Sequence, residues 1–169
     1  RLYDSSTSDA DIKAEWKTGA YPTALAYTPV KGGITANSDG KRYDQAFSFN
    51  TIPEGSYKLA IFKPDKYVPK IVPINVSTTD YTCGELKLWL YGDVNYDGKV
   101  SIIDAVQIQM YKAGKTSVFT DGSGQDIADR MVAANVTEVT VGDTIVNVLD
   151  AVQIQLYKAG KSSAFDSMK

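Results

Sequence analysis

The pattern of apolar and polar positions changes character part-way along the chain. Before Gly92, apolar residues mostly alternate with polar ones; after it, they recur at helical spacing. The alternation of Ile12, Ala14 and Trp16 predicts a half-buried strand, and that of Phe47, Phe49 and Ile52 in residues 46–52 predicts another. Pro53-Glu54-Gly55 reads as a turn, followed by a strand over residues 57–63. Pro64-Asp65-Lys66 turns again. Residues 67–76 read as a strand with two prolines, hence an edge. Residues 86–90 close the set, and 35–43 read as a loop. Short, evenly spaced strands with no helix between them predict a small all-β antiparallel sandwich over residues 1–91.

The second part contains an internal repeat. Asp104-Ala-Val-Gln-Ile-Gln-Met-Tyr-Lys-Ala-Gly-Lys-Thr-Ser-Val-Phe119 recurs 46 residues later, from Asp150 to Phe165, with 13 of 16 positions identical. Each copy predicts a helix of about three turns ending at Gly114 or Gly160. A third helix is predicted over 125–134, with Asp121 or Ser123 as its N-cap. Charge divides at the same place. Residues 1–91 carry 11 basic and 10 acidic side chains, and residues 92–169 carry 7 and 10. The expected boundary therefore lies between Tyr91 and Gly92, with almost no linker.

Composition narrows the chemistry. With 169 residues, 43% hydrophobic and 22% charged, the chain is ordinary globular material rather than disordered, collagenous or coiled-coil. No apolar run approaches the roughly 20 residues a membrane helix needs. No signal peptide is read at Arg1, so the expectation is a cytoplasmic chain or a mature or excised fragment. Net charge is −2 with no basic block, which argues against nucleic acid. Histidine is absent, which removes His-based acid–base catalysis and the usual zinc, copper and haem ligands. The single cysteine, Cys83, forms no internal disulfide and reads as a small strand residue. A metal site here must be built of oxygen, for calcium, magnesium or manganese.

Such a site is written immediately before the first repeated helix. In Asp93-Val-Asn95-Tyr-Asp97-Gly98-Lys99-Val-Ser101-Ile-Ile-Asp104, side-chain oxygens fall at positions 1, 3, 5, 9 and 12 of a twelve-residue loop. Gly98 stands at position 6, and Lys99 offers its backbone carbonyl at 7. This is the spacing of an EF-hand calcium loop, with Asp104 where the standard loop has Glu. Alternate oxygens of a tight loop converge on one point, and the last ligand rides on the first helical turn.

The second copy is degenerate and admits two alignments. Both use Asp150, Asn147, the Ile145 carbonyl and Asp143 for positions 12, 9, 7 and 5. Strict spacing then places Val141 and Val139 at positions 3 and 1, which cannot ligate through side chains. The alternative treats residues 139–142 as an insertion and brings in Asn135 and Thr137, with Glu138 as a further candidate. Fewer carboxylates imply weaker binding.

Two resemblances follow from these residues. Phe47-Ser-Phe49, Ile52-Pro53-Glu-Gly55-Ser-Tyr57-Lys-Leu59 and Lys63-Pro64…Tyr67 resemble the pattern of prealbumin-like, carboxypeptidase-regulatory β-sandwiches, with Asp65-Lys66 replacing the usual glycine before Tyr67. Residues 92–166, with two loops each followed by a near-identical helix, resemble a cellulosomal dockerin. The whole chain resembles an X-module–dockerin dyad: a sandwich over 1–91 and an all-α dockerin over 92–169, as found at the C-terminus of scaffoldins.

The resemblance implies a non-catalytic, secreted or cell-surface module of an anaerobic bacterium. It would bind calcium and dock its parent protein onto a cohesin during cellulosome assembly for polysaccharide degradation. It implies no nucleic acid and no membrane insertion, and it leaves room for contact between sandwich and dockerin. The cohesin-binding residues it implies are Ile102, Ile103, Gln109 and Met110, with Val148, Leu149, Gln155 and Leu156 in the second copy. Aliphatic pairs at loop positions 10 and 11 resemble type II dockerins. Helical spacing adds Val106 and Val152 to this stripe and separates it from Ala105, Ile108 and Tyr111. Phe119 and Phe165 read as core plugs. Two alternatives stand beside this: a C-terminal fragment of a carbohydrate-active enzyme, and a calcium-sensing or buffering EF-hand protein. A sensor opens a Met-rich groove, and only three methionines occur.

Overall fold

The computed structural model describes residues 1–28, 35–36, 43–44, 46–63, 67–77, 81–122, 124–137 and 145–168. Two compact units emerge: Arg1–Phe62 with Pro69–Leu88, and Lys63–Val68 with Trp89–Lys169.

The first unit is built on a four-stranded antiparallel sheet in the order β2-β1-β5-β6. Its strands are β1 (Leu2–Asp4), β2 (Ala24–Ala26), β5 (Gly55–Ile61) and β6 (Lys70–Val76). A separate ribbon pairs β3 (Thr35–Ala36) with β4 (Tyr43–Asp44). In β6, at the sheet edge, Pro73 stands opposite Lys58, a position where a missing N–H costs nothing in the ladder. Alternation along the strands loads both faces. Leu2, Leu59 and Ile74 form one cluster, while Tyr3 and Ala60 join Ile12 in the other.

Ile12 belongs to a helix, α1 (Asp9–Thr18). The Ser8 hydroxyl accepts from the Asp11 amide at 3.1 Å, Asp9 and Asp11 occupy the first turn, and the chain leaves in a left-handed conformation at Gly19. These are helix-start and helix-stop signals. Ile12 and Glu15, three apart, are buried, and Trp16 stacks on Phe62 with ring centroids 5.4 Å apart. The strand expected at 12–16 is therefore a helix; its apolar residues satisfy both periods, and the caps decide.

Among the described residues that pack on the opposite face of the sheet, none belongs to a second sheet. Phe47, Phe49, Ile52, Cys83 and Leu86 pack there from segments that lack regular strand structure. Residues 46–52 and 86–90 were expected as strands, yet only Leu90 makes a bridge, to Tyr67. The fold expectation is corrected accordingly. The described chain is mixed α/β, with a four-stranded antiparallel sheet and four helices. A prealbumin-like β-sandwich followed by an all-α dockerin is not evident. One helix lies in the first unit, and the second unit includes the bridged segment Lys63–Val68, whose Val68 amide donates to the Trp89 carbonyl at 2.8 Å.

The remaining helices of the second unit are α2 (Ile102–Lys112), α3 (Gly124–Ala134) and α4 (Val148–Lys158), followed by a 3₁₀ turn at Ala164–Ser167. Helices α2 and α4 end in the same way. The Gly114 and Gly160 amides donate to Tyr111 and Tyr157, and those of Lys115 and Lys161 to Met110 and Leu156. One core joins Ala105 and Ile108 of α2 to Ala151 and Ile154 of α4, with Val94, Val136, Phe119 and Phe165.

Candidate metal loops and the exposed helix faces

The first loop is organised by its own carboxylates. Asp93 Oδ1 and Oδ2 accept from the amides of Asp97 (3.1 Å) and Gly98 (2.9 Å), and Asn95 Oδ1 accepts from Asp97 at 3.0 Å. The bend at Gly98 has φ 82°, and Tyr96 also adopts positive φ, at 61°; only glycine takes such a conformation without strain. Asp104 closes the ring. Its Oδ1 accepts from Val94 (2.9 Å) and Asn95 (3.3 Å), and its Oδ2 from the Ser101 amide (2.8 Å) and hydroxyl (3.0 Å). Ser101 is also the N-cap of α2, accepting from Ile103 at 3.2 Å, so loop and helix share one hydrogen-bonded joint.

Asp93 and Asp104 are both buried, and no ion pair among the described residues reaches either. Burial pushes the Asp93 carboxyl up to about 6; the amides of Gly98 and Asp97 oppose the rise, and the charges of Asp104 and Asp97 add to it. Burial likewise raises Asp104 against the hydrogen bonds from Ser101, Asn95 and Val94. The donor set fits a hard divalent cation: buried carboxylates that feel one another's charge, an amide oxygen and a hydroxyl on one loop. As the side chains stand, no three acidic, histidine or cysteine groups among the described residues are gathered closely enough to hold a metal. Asp104 has turned both oxygens to backbone and Ser101 donors. Asp93, Asn95, Asp97, Ser101 and Asp104, with the Lys99 carbonyl, are the residues that would hold the ion.

The second loop repeats the joint with different chemistry. Asp150, fully buried, accepts on Oδ1 from the Thr137 amide (3.0 Å) and hydroxyl (2.8 Å), and on Oδ2 from the Asn147 amide (2.8 Å). Thr137 therefore stands toward Asp150 as Asn95 stands toward Asp104. Asn135, buried, takes the place of Asp93, and Val136 that of Val94. Asn147 caps α4 by accepting from Leu149 at 2.7 Å, and its Nδ2 donates to the Ile145 carbonyl at 3.0 Å. Asp143, Glu138 and residues 139–142 lie outside the described residues.

The cohesin-face candidates fall into matched pairs. Ile102 and Val148 are exposed; Ile103 and Leu149 are each 58% exposed, and Val106 and Val152 each 40%. Gln109 is exposed, while Met110, Gln155 and Leu156 are partly buried. The opposite stripe, Ala105 and Ile108 with Ala151 and Ile154, is fully buried.

Sequence reasoning missed Arg130. From α3, its Nη1 donates to the Val94 carbonyl of the first loop at 2.7 Å. Its guanidinium lies 5.3 Å from the Trp89 ring, whose centroid is 4.3 Å from that of Tyr96. The available signal was its isolation: it is the one basic residue between Lys115 and Lys158.

Compared with known proteins, the chain matches no family model, no curated protein and no solved structure.

Proposed function

We propose that the second unit is a non-catalytic, calcium-dependent docking module whose partner is a cohesin-type receptor. On this reading calcium occupies the first loop, and the chain works outside the cell, attaching its parent protein to a larger assembly. The observation that carries it is the paired exposure of Ile102, Ile103 and Val106 with Val148, Leu149 and Val152, one set beside each loop. Six exposed aliphatic side chains on two matching helix starts are more than a small unit leaves uncovered without use. The buried acids of the first loop, reached by no ion pair among the described residues, supply the reason for calcium.

The test is calorimetric titration of the full chain against a panel of cohesins, with calcium and with EDTA. Binding to one cohesin class, lost in EDTA, is the expected result; binding to none overturns the reading. Aspartate at Ile102 and Ile103, compared with aspartate at Val148 and Leu149, then locates the contact. A charge in an apolar contact costs on the order of 2–4 kcal/mol of affinity. The differing loops beside the two faces favour one dominant orientation, so one pair is expected to dominate. Near-normal binding by both double variants, with loss only when they are combined, would show two interchangeable orientations.

A further inference from the structure

A guanidinium reaches the first loop from α3. Arg130 Nη1 donates to the Val94 carbonyl at 2.7 Å, across 36 residues of chain. The peptide group that carries this carbonyl also carries the Asn95 amide, which donates to Asp104 Oδ1 at 3.3 Å. In a trans peptide the carbonyl and the N–H point in opposite directions. Arg130 therefore holds the outer side of the Val94–Asn95 peptide while its inner side faces the carboxylate at position 12. The amide of Val94, a fully buried residue, donates to the same oxygen at 2.9 Å. The guanidinium also lies 5.3 Å from the Trp89 ring, and Trp89 packs on Tyr96 with centroids 4.3 Å apart. Trp89 is buried, and Tyr96 is held at φ 61°. A non-glycine residue keeps such a conformation only where its surroundings fix it. Arg130 thus grips the loop at Val94 directly and at Tyr96 through Trp89. Those are positions 2 and 4 of the loop, and the oxygens of Asp93, Asn95 and Asp97 stand at 1, 3 and 5.

We infer that Arg130 is a positioning residue for the ion site: it braces the even positions of the first loop so that the odd ones are held ready for calcium, and it ties calcium affinity to α3. The inference rests on the calcium reading of the first loop. Charge and bracing predict opposite signs for its removal. A positive charge close to the site repels a cation, so charge alone predicts tighter binding once Arg130 is gone. A brace predicts weaker binding, because the ion must then order the loop itself.

Calcium titration of the full chain against a competing chelator, followed at the Asp97 and Gly98 amides by NMR, reads the affinity of the first loop itself. The unaltered chain is compared with Arg130→Met and Arg130→Lys, each checked for helix content by circular dichroism. Arg130→Met is expected to bind calcium about tenfold more weakly, a coupling of ordinary size. Arg130→Lys keeps the charge and one donor but lacks the planar face that meets Trp89, and its affinity should fall between the two. Urea midpoints with and without calcium give a second readout: the rise on adding calcium should shrink in Arg130→Met. Should Arg130→Met not fold, Arg130→Lys decides by the same rule. Unchanged or tighter binding, or a calcium-induced rise as large as that of the unaltered chain, makes Arg130 a structural contact only. That result overturns the inference and leaves the calcium reading standing. No response to calcium at those amides in the unaltered chain overturns the calcium reading, and this inference with it.

Discussion

The two loop–helix copies share a core and a joint, and they part in how they neutralise the acid at that joint. Asp104 and Asp150 are equally buried at the start of near-identical helices. Around Asp104 stand a second buried carboxylate, Asp93, and a third acid, Asp97. Among the described residues, those that flank Asp150 from the start of its loop are an amide, Asn135, and a hydroxyl, Thr137. Duplication has kept what the packing requires, the Ala-x-x-Ile stripe and the phenylalanine plug, and has left charge balance free to diverge. Each helix-start acid accepts from a hydroxyl, Asp104 from Ser101 and Asp150 from Thr137, but only the first loop adds a buried second carboxylate at the position that Asn135 fills with a neutral amide.

The strongest way to break this comparison is to remove the two closing acids in turn. Asp104→Ala strands the amides of Val94, Asn95 and Ser101, and Asp150→Ala those of Thr137 and Asn147. Each should cost roughly 3 kcal/mol or more, as buried donors lose their acceptors. In calcium-free buffer the two melting losses should be similar. With calcium at 100 times its Kd, the unaltered chain gains about 2.7 kcal/mol through the first loop. Asp104→Ala should then lose that increment as well, whereas Asp150→Ala retains it. Denaturant midpoints with and without calcium decide; a calcium increment lost equally in both variants would make the loops equivalent.

A smaller effect separates the residues that enter the loops. Gly92 has φ 86°, and a Cβ there would lie 2.7 Å from Phe165 Cζ and 3.0 Å from Val100 Cγ1. The corresponding residue of the second copy is Ala134, which is fully buried. Gly92→Ala should destabilise the second unit by about 2–3 kcal/mol, from strain and overpacking together. Ala134→Gly should cost about 1 kcal/mol, from a lost methyl and a freer unfolded chain. Thermal melts of the two variants provide the check, and equal losses would show that Phe165 yields at no cost.

Legibility in the sequence followed the length and strength of each signal. Helices α2 and α4 were readable because the two copies match at eight of their eleven positions and share one helical period, and the sharp bend of the first loop because Gly98 marks it. The frame of the second loop was ambiguous in sequence; the bond from Thr137 N to Asp150 aligns Asn135 with Asp93, with four more residues following than in the first loop. In the first unit the reading failed where short segments depend on partners far away. Strand β1 is three residues long and exists because β2 and β5 pair with it from both sides. Residues 86–90 carry a strand-like apolar run, yet only Leu90 finds a bridging partner. Ile12, Ala14 and Trp16 misled because their alternation was weighed without Ser8 and Gly19, whose capping bonds mark the helix.

The subtlest difference between the copies is their response to pH in the absence of calcium. Asp93 titrates at about 6 in the folded chain, against an ordinary value of 3.8, because burial disfavours its charged form. Between those values the folded state holds more protons than the unfolded one, so stability falls as pH rises. The contribution is fully present below about pH 4 and is lost as pH passes through about 6. A carboxyl raised from 3.8 to about 6 would contribute nearly 3 kcal/mol in full, but the loop is partly screened by solvent, and about 1–2 kcal/mol is the expected size. Asn135, at the equivalent place, has no proton to release. Asp93→Asn should therefore flatten the stability profile between pH 4 and 7 and make the calcium-free chain more stable at neutral pH. It should also remove the gain from calcium there, since the neutral amide no longer repels Asp104 and no longer draws the ion. Urea midpoints of calcium-stripped protein at pH 4.5 and 7 carry the test through the difference between the two chains, in which titrating groups outside the first loop cancel. A profile unchanged by Asp93→Asn would mean that the buried acid is already neutralised by another group in the first loop, and the contrast with Asn135 would disappear.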